Sequence, residues 1–168
     1  MIERVLVVCA GNICRSPMAA ALLARRLESV SVESAGITAL IGHGADPIAV
    51  GLMRDRGLDI SSHSGRQLEP WMTTSADLVL VMDTFQKQYL ENRFASLYGR
   101  VYLLGQVSTP SKHSDAGFNI PDPYRKGYRS FEERLKLIEA GVDEWSSRIK
   151  GVSDEPAIST RCADRSSS

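Results

Sequence analysis

Cys9-Ala10-Gly11-Asn12-Ile13-Cys14-Arg15-Ser16-Pro17 lies between an unbroken apolar run, Val5 to Val8, and a segment, Met18 to Leu27, whose apolar residues recur at helical spacing. The run reads as a buried strand. The segment reads as a helix over 17–27, with Ala19, Ala20, Leu22, Leu23 and Leu27 on its apolar side. A strand therefore ends at the cysteine, and a helix begins at the arginine. Such a turn wraps successive backbone N–H groups around one point, and the helix adds the positive end of its dipole. A nest of this kind binds a phosphate-sized dianion. With a sulfur at its floor, the anion site becomes a nucleophile site.

Within that stretch each residue type has a task. The helix end and the Arg15 guanidinium both favour the thiolate form of Cys9, which is the reactive one. Arg15 carries a planar fork of donors that can hold two phosphoryl oxygens and keep phosphorus in line with the sulfur. The backbone of Ala10, Gly11, Asn12, Ile13, Cys14, Arg15 and Ser16 is expected to bind the phosphate. The Ser16 hydroxyl either donates to the sulfur or caps the helix. Gly11 is expected to take a positive φ, and Asn12 tolerates the left-handed region. Pro17 suits the first helical turn, where a missing N–H costs nothing. A cysteine at a strand end is more often a small buried hydrophobe; the surrounding Gly-Asn-Ile-Cys-Arg-Ser-Pro string separates the two readings.

Outward from this loop, apolar runs alternate with helical patterns. Short strands are expected over 31–35, 77–82 and 100–104. Helices are expected from Asp46-Pro47 to near Gly57, over 69–75, over 84–97, and from a Ser130 cap, with Glu133 as its capping-box partner, to about Ile149. Strands separated by helices imply an α/β fold with a parallel sheet covered on both faces. Ligands in such sheets sit at the carboxyl ends of strands, where Cys9 falls.

The 168 residues suggest one domain, over 1–150, followed by a polar, small-residue tail over 151–168 read as disordered. Twenty basic and twenty acidic residues balance, which argues against nucleic acid as a partner. No signal-peptide pattern opens the chain, and no apolar stretch reaches the ~18 residues of a membrane span. Three cysteines in no framework spacing point to a reducing, cytoplasmic setting. His43, His63 and His113 are scattered and form no ligand cluster, so no metal is expected.

A loop of about 25 residues, from Gly105 to Arg129, is long enough to suggest function. It carries Ile120-Pro121-Asp122-Pro123-Tyr124, in which two prolines brace Asp122. A positioned carboxylic acid there can protonate a departing phenolic oxygen and then take a proton from water. A bound dianion beside it would favour the protonated form. Asp115 is a rival in the same loop but no proline braces it.

The nest resembles the phosphate-binding loop of the low-molecular-weight protein tyrosine phosphatases, and Asp122-Pro123-Tyr124 resembles that family's second mark. The likeness runs from about Val5 to about Ile149. The form Asp122-Pro123-Tyr124-Arg125-Lys126 is similar to bacterial members that work beside capsule and exopolysaccharide tyrosine kinases. This resemblance implies a four-stranded parallel sheet of flavodoxin-like order 2-1-3-4. It implies Cys9 as nucleophile, Arg15 as phosphate clamp and Asp122 as acid, with no cofactor. The substrate would be a tyrosine-phosphorylated protein, such as a bacterial tyrosine autokinase or another protein of exopolysaccharide production, with inorganic phosphate as product. Tyr124 would form one wall of the substrate slot. The loop Thr38 to Gly44 would form the other, with Leu40 and Ile41 where many relatives carry an aromatic residue. The stretch Ser61 to Gln67 resembles the part that steadies the loop, with His63 hydrogen-bonded to Asn12, and Arg66 and Asp83 match a bracing pair. Cys14 is placed to capture an oxidised Cys9 as a disulfide, whereas Cys162 lies in the tail.

Three other readings fit these residues less well. A thiol-dependent arsenate reductase needs further redox cysteines, and none stands between Cys14 and Cys162. Phosphoarginine phosphatases of similar sequence carry threonine where this chain has Ile13. A non-catalytic phosphotyrosine-binding module would not need Cys9, Arg15 and Asp122 together.

Overall fold

Along β1 (Arg4–Cys9), Val5, Val7 and Cys9 face one side of a sheet and Leu6 and Val8 the other, and all of them are buried. In the computed structural model, which describes residues 1–106 and 117–153, this strand is central. It pairs in parallel with β2 (Ser31–Gly36) on one side and with β3 (Leu78–Val81) on the other; β4 (Val101–Leu103) completes the sheet beyond β3. The order β2-β1-β3-β4 is the expected one. It reverses direction at β1, so the cleft beyond the carboxyl end of β1 is where such a sheet receives ligands.

Helices α1 (Arg15–Arg26), α2 (Pro47–Asp55) and α5 (Tyr128–Ser153) cover the Val5/Val7 face, where Met18, Leu22, Met53, Phe131, Leu135 and Val142 form the larger core. On the Leu6/Val8 face, α3 (Pro70–Ser75) and α4 (Thr84–Arg93) contribute Met72 and Leu90 to a smaller core. Burial on both faces explains why β1 and β3 read as continuous apolar runs rather than alternating ones.

Two elements differ from expectation. The helix expected over 84–97 ends at Arg93, because Phe94 is extended (φ −125°, ψ 98°) and a 3-10 turn, Ala95–Leu97, follows. That break turns the chain toward β4 and buries Leu97 completely. Ser130 does not cap the last helix. Gly127, at φ 86°, turns the chain so that α5 starts at Tyr128, and the Phe131 N–H bonds back to the Gly127 carbonyl. Ser130 then lies inside the first turn, its hydroxyl buried without a partner among the described residues. Asp115, His113, Cys162 and positions 154–168 lie outside the described residues.

Candidate active site

The loop after β1 is held by its carbonyls. Cys9 O accepts from Ile37 N, Ala10 O from Thr38 N and Gly11 O from Leu40 N, each at 3.0 Å. Asn12 O accepts from His63 Nε2 at 2.6 Å, and Ile13 O from Asp46 N at 2.8 Å. In a trans peptide the N–H points opposite to the preceding carbonyl. Five outward carbonyls therefore turn the N–H groups of Ala10 to Cys14 toward the inside of the loop. This close wrap needs a glycine across the sheet: a Cβ on Gly36 would sit 2.6 Å from Ala10 O.

Asn12 is the keystone. It is fully buried, and it, rather than Gly11, takes the positive φ, at 58°. Asparagine meets the left-handed requirement and brings a side chain that glycine lacks. Its Nδ2 donates to Ser16 Oγ at 2.9 Å and Ser34 Oγ at 3.0 Å, its Oδ1 accepts from Arg66 N at 2.9 Å, and its own N–H donates to Cys9 Sγ at 3.3 Å. Every polar group of the residue is thus engaged, as a buried amide requires.

Cys9 is 2% exposed, with Sγ 2.9 Å from Ser16 Oγ. Because Ser16 Oγ already accepts from Asn12 Nδ2, its own hydrogen is free to donate to the sulfur. Of the two expected tasks for Ser16 this is the one found; Cys14 is the residue before the helix, and no side chain caps it.

Arg15, at the first position of α1, is 3% exposed. Its Nη1 donates to Ile120 O at 2.9 Å and lies 3.9 Å from Asp83 Oδ2, while Nη2 lies 3.7 Å from Asp122 Oδ2. Its Nε is buried with no partner among the described residues. Ile120 N donates to Met82 O at 2.8 Å, so the segment carrying Asp122 is stitched both to the end of β3 and to Arg15. Asp122 Oδ1 accepts from Tyr124 N at 3.0 Å, which fixes the carboxylate's rotamer and leaves Oδ2 toward the guanidinium. A cavity of about 40 Å³ opens here, floored by Cys9 and walled by Ile13, Leu40 and Tyr124, with Arg15 and Asp122 at its side.

Other expected positions are redistributed. Ile41 does not line this cavity: the Leu40 carbonyl accepts from His43 N, Gly42 takes φ 78°, and Ile41 stands 68% exposed on this tight turn. Arg66 and Asp83 do not pair with each other. Arg66 meets Glu33 at 3.3 Å and bonds Ser34 O, whereas Asp83 caps α4 and faces Arg15, so they brace the loop from opposite sides. Cys14 lines the cavity, and burial pushes its thiol well above the ordinary value; the nearby Asp46 and Asp122 carboxylates add to this and Arg15 opposes it. Among the described residues no cluster of His, Cys, Asp or Glu could hold a metal, and no helix is long and apolar enough to cross a membrane.

Ser34, Gln67 and Ile120 were not singled out for these tasks from sequence. Gln67 clamps the slot-wall loop by accepting from Ala39 N at 3.0 Å and donating to Ile37 O at 2.6 Å. Ile120 acts through its backbone, which no side-chain pattern reveals.

The sequence and the fold both have known counterparts. Residues 4–154 match the profile described as low molecular weight phosphotyrosine protein phosphatase. The chain belongs to this family. Among curated members, the phosphatase is 49% identical over 152 residues to the "probable low molecular weight protein-tyrosine-phosphatase EpsP" of Ralstonia nicotianae, covering 90% of this chain and 99% of that one. Among solved structures, Vibrio vulnificus Wzb in complex with benzylphosphonate superposes with a TM-score of 0.79 at 32% identity, covering 88% of this phosphatase and 99% of Wzb. The YwlE arginine phosphatase from Geobacillus stearothermophilus gives a TM-score of 0.81 at 28% identity over 92% and 99% of the two chains. Fold likeness alone therefore does not choose between phosphotyrosine and phosphoarginine.

Proposed function

We propose that this phosphatase hydrolyses phosphotyrosine through a cysteinyl-phosphate intermediate. The observation that carries the reading is the convergence of Cys9 Sγ, the Arg15 guanidinium and Asp122 Oδ2 on one small cavity ringed by inward amides. The Cys9 thiolate attacks phosphorus, forming S–P as the ester O–P bond breaks. Arg15 and the loop N–H groups hold the three equatorial oxygens, whose charge is spread in a loose transition state. Asp122 gives its proton to the leaving phenolic oxygen. Its carboxylate then takes a proton from water as the water oxygen attacks phosphorus, breaking S–P and releasing inorganic phosphate and the thiolate. Ser16 donates to the sulfur in both its attacking and leaving roles, and His63 and Asn12 keep the amides aimed.

Three features favour an aryl ester. The sulfur is nearly inaccessible at the cavity floor, so a phosphoryl group must arrive on a long stem. Leu40 and Tyr124 offer apolar walls to a ring. Ile13 lines the cavity without a hydroxyl to engage a guanidinium, which counts against phosphoarginine. The Asp122 to Lys126 motif and the likeness to EpsP and Wzb support a physiological substrate among tyrosine-phosphorylated proteins of exopolysaccharide production, a tyrosine autokinase being the first candidate, and with it a cytoplasmic site of action.

Phosphotyrosine, phosphoserine and phosphoarginine peptides of one sequence test the activity. Turnover of phosphotyrosine at least about 100-fold above the others in kcat/KM is expected, and preference for phosphoarginine would contradict it. Capture from lysate on a Cys9→Ser variant tests the partner: a set without tyrosine-phosphorylated proteins contradicts that assignment.

A further inference from the structure

Immediately after the acid, the chain places three cations, two of them where local preferences oppose a long cationic side chain. Arg125 has φ 59°, left-handed backbone that a long side chain rarely adopts. Its guanidinium lies over one face of the Tyr124 ring, 5.1 Å from the centroid. Lys126 N closes a turn on Pro123 O at 3.0 Å. Arg129 occupies the first turn of α5, which has no acidic residue, so a positive charge sits against the positive end of the helix dipole. All three side chains are exposed, and none forms an ion pair among the described residues. The nearby carboxylates are otherwise occupied or set back: Asp122 faces Arg15, Glu133 pairs with Arg134 at 3.4 Å, and Glu132 is partly buried. Helix stability and backbone preference would both be served better by other residues. Such local conflicts concentrate where function demands them.

We infer that Arg125, Lys126 and Arg129 form a second anion-recognition rim that selects substrates carrying another negative group close in sequence to the phosphotyrosine. The inference rests on the phosphotyrosine reading above. Its occupant is an anionic peptide flank, and either a carboxylate side chain or a second phosphoryl group supplies the chemistry. Tyr124 links the two regions: it lines the cavity, and Arg125 covers one face of its ring. A peptide whose aryl phosphate reaches Cys9 leaves a cavity walled by Tyr124, and the three cations follow that residue within five positions of the chain. Because the rim is exposed and screened, its contribution per charge is modest and salt-sensitive.

The test uses three peptides alike except at the two positions flanking phosphotyrosine: alanine, glutamate, or a second phosphotyrosine. For the native chain at low salt, kcat/KM for the glutamate peptide should exceed that for the alanine peptide by about tenfold, and the doubly phosphorylated peptide should gain more. The ratio should fall toward one in about 0.5 M salt, a measurement that needs no variant. It should also fall toward one in R125Q/K126Q/R129Q, and partway in Arg129→Gln alone. Equal rates on all three peptides, or a gain that survives both salt and the triple change, would overturn the inference while leaving the phosphatase reading intact. Failure to hydrolyse any of the three would overturn both. A gain confined to the second phosphoryl group would identify that group as the anion read by the rim.

Discussion

Arg15 Nη1 donates to the Ile120 carbonyl at 2.9 Å, two residues before Asp122. One guanidinium thus lines the cavity at the end of β1 and holds the segment that carries Asp122. The two halves of the proposed chemistry, nucleophilic attack and proton donation, come from positions more than a hundred residues apart, yet they share this contact.

Lysine cannot reproduce that fork. Arg15→Lys should lower kcat/KM by about 10³-fold, since it removes both the bidentate grip on phosphate and the bond to Ile120. Hydrogen exchange at positions 120–124 should quicken in the same variant. Slow exchange there, unchanged from the native protein, would show that Met82 alone holds the segment.

Asp122→Asn keeps the bond from the Tyr124 amide but has no acidic proton to give. Turnover of phosphotyrosine should fall by about 100-fold or more. The loss should be smaller for p-nitrophenyl phosphate, whose leaving group needs less help. Equal losses on the two substrates would argue that Asp122 positions rather than protonates.

Cys14 and Cys9 both line the cavity, so mild peroxide should convert Cys9 to a sulfenic acid that Cys14 captures, with loss of water, as a disulfide. Burial keeps the Cys14 thiol protonated at neutral pH, so capture should speed up as pH rises. Peptide mapping reports the outcome; only higher oxides on Cys9 would contradict it. The same burial has a stability consequence. The folded state retains a proton that the unfolded chain releases from about pH 9, so stability falls with rising pH above that point, by at most about 1.4 kcal/mol per unit. Cys14→Ala should reduce that slope.

Asp77 accepts the N–H groups of Glu3 and Arg4 on one oxygen, both at 2.9 Å, which anchors the start of β1. These bonds, Glu3 first, hold its carboxyl below the usual carboxylate range. A depressed folded value stabilises at neutral pH, and the contribution is lost as pH falls through that value. Asp77 is exposed, so solvent screening limits the effect: Asp77→Ala should cost roughly 0.5 kcal/mol at pH 7 and less near pH 3. Chemical denaturation at the two pH values checks this; an equal cost at both would rule out the charge.

Much of this architecture was legible because apolar run, cysteine, loop, arginine and helix follow one another in the chain. Val5 to Val8 reads as a doubly covered strand, and Arg15 as the opening of the helix that Met18, Leu22 and Leu23 continue. What stayed hidden acts through backbone or across the fold. Ile120 contributes a carbonyl, and Ser34 meets Asn12 only because β2 lies beside β1. Gly11 and Asn12 both suit a positive φ; the side-chain bonds to Ser16, Ser34 and Arg66 explain why asparagine holds it. Ser130 matched a capping pattern, but Gly127 had already turned the chain. Ile41 stands next to Leu40 in sequence and opposite to it in space, because Gly42 closes a turn between them and His43.

Rapid acid quenching during turnover of a phosphotyrosine peptide, followed by mass mapping, detects the proposed covalent intermediate itself. One phosphoryl group is expected on the peptide containing Cys9, formed in the first turnover, absent in Cys9→Ser, and accumulating further in a variant that hydrolyses the intermediate slowly. Full-rate turnover with no phosphorylated Cys9 at any quench time, or turnover that survives Cys9→Ser, would contradict it.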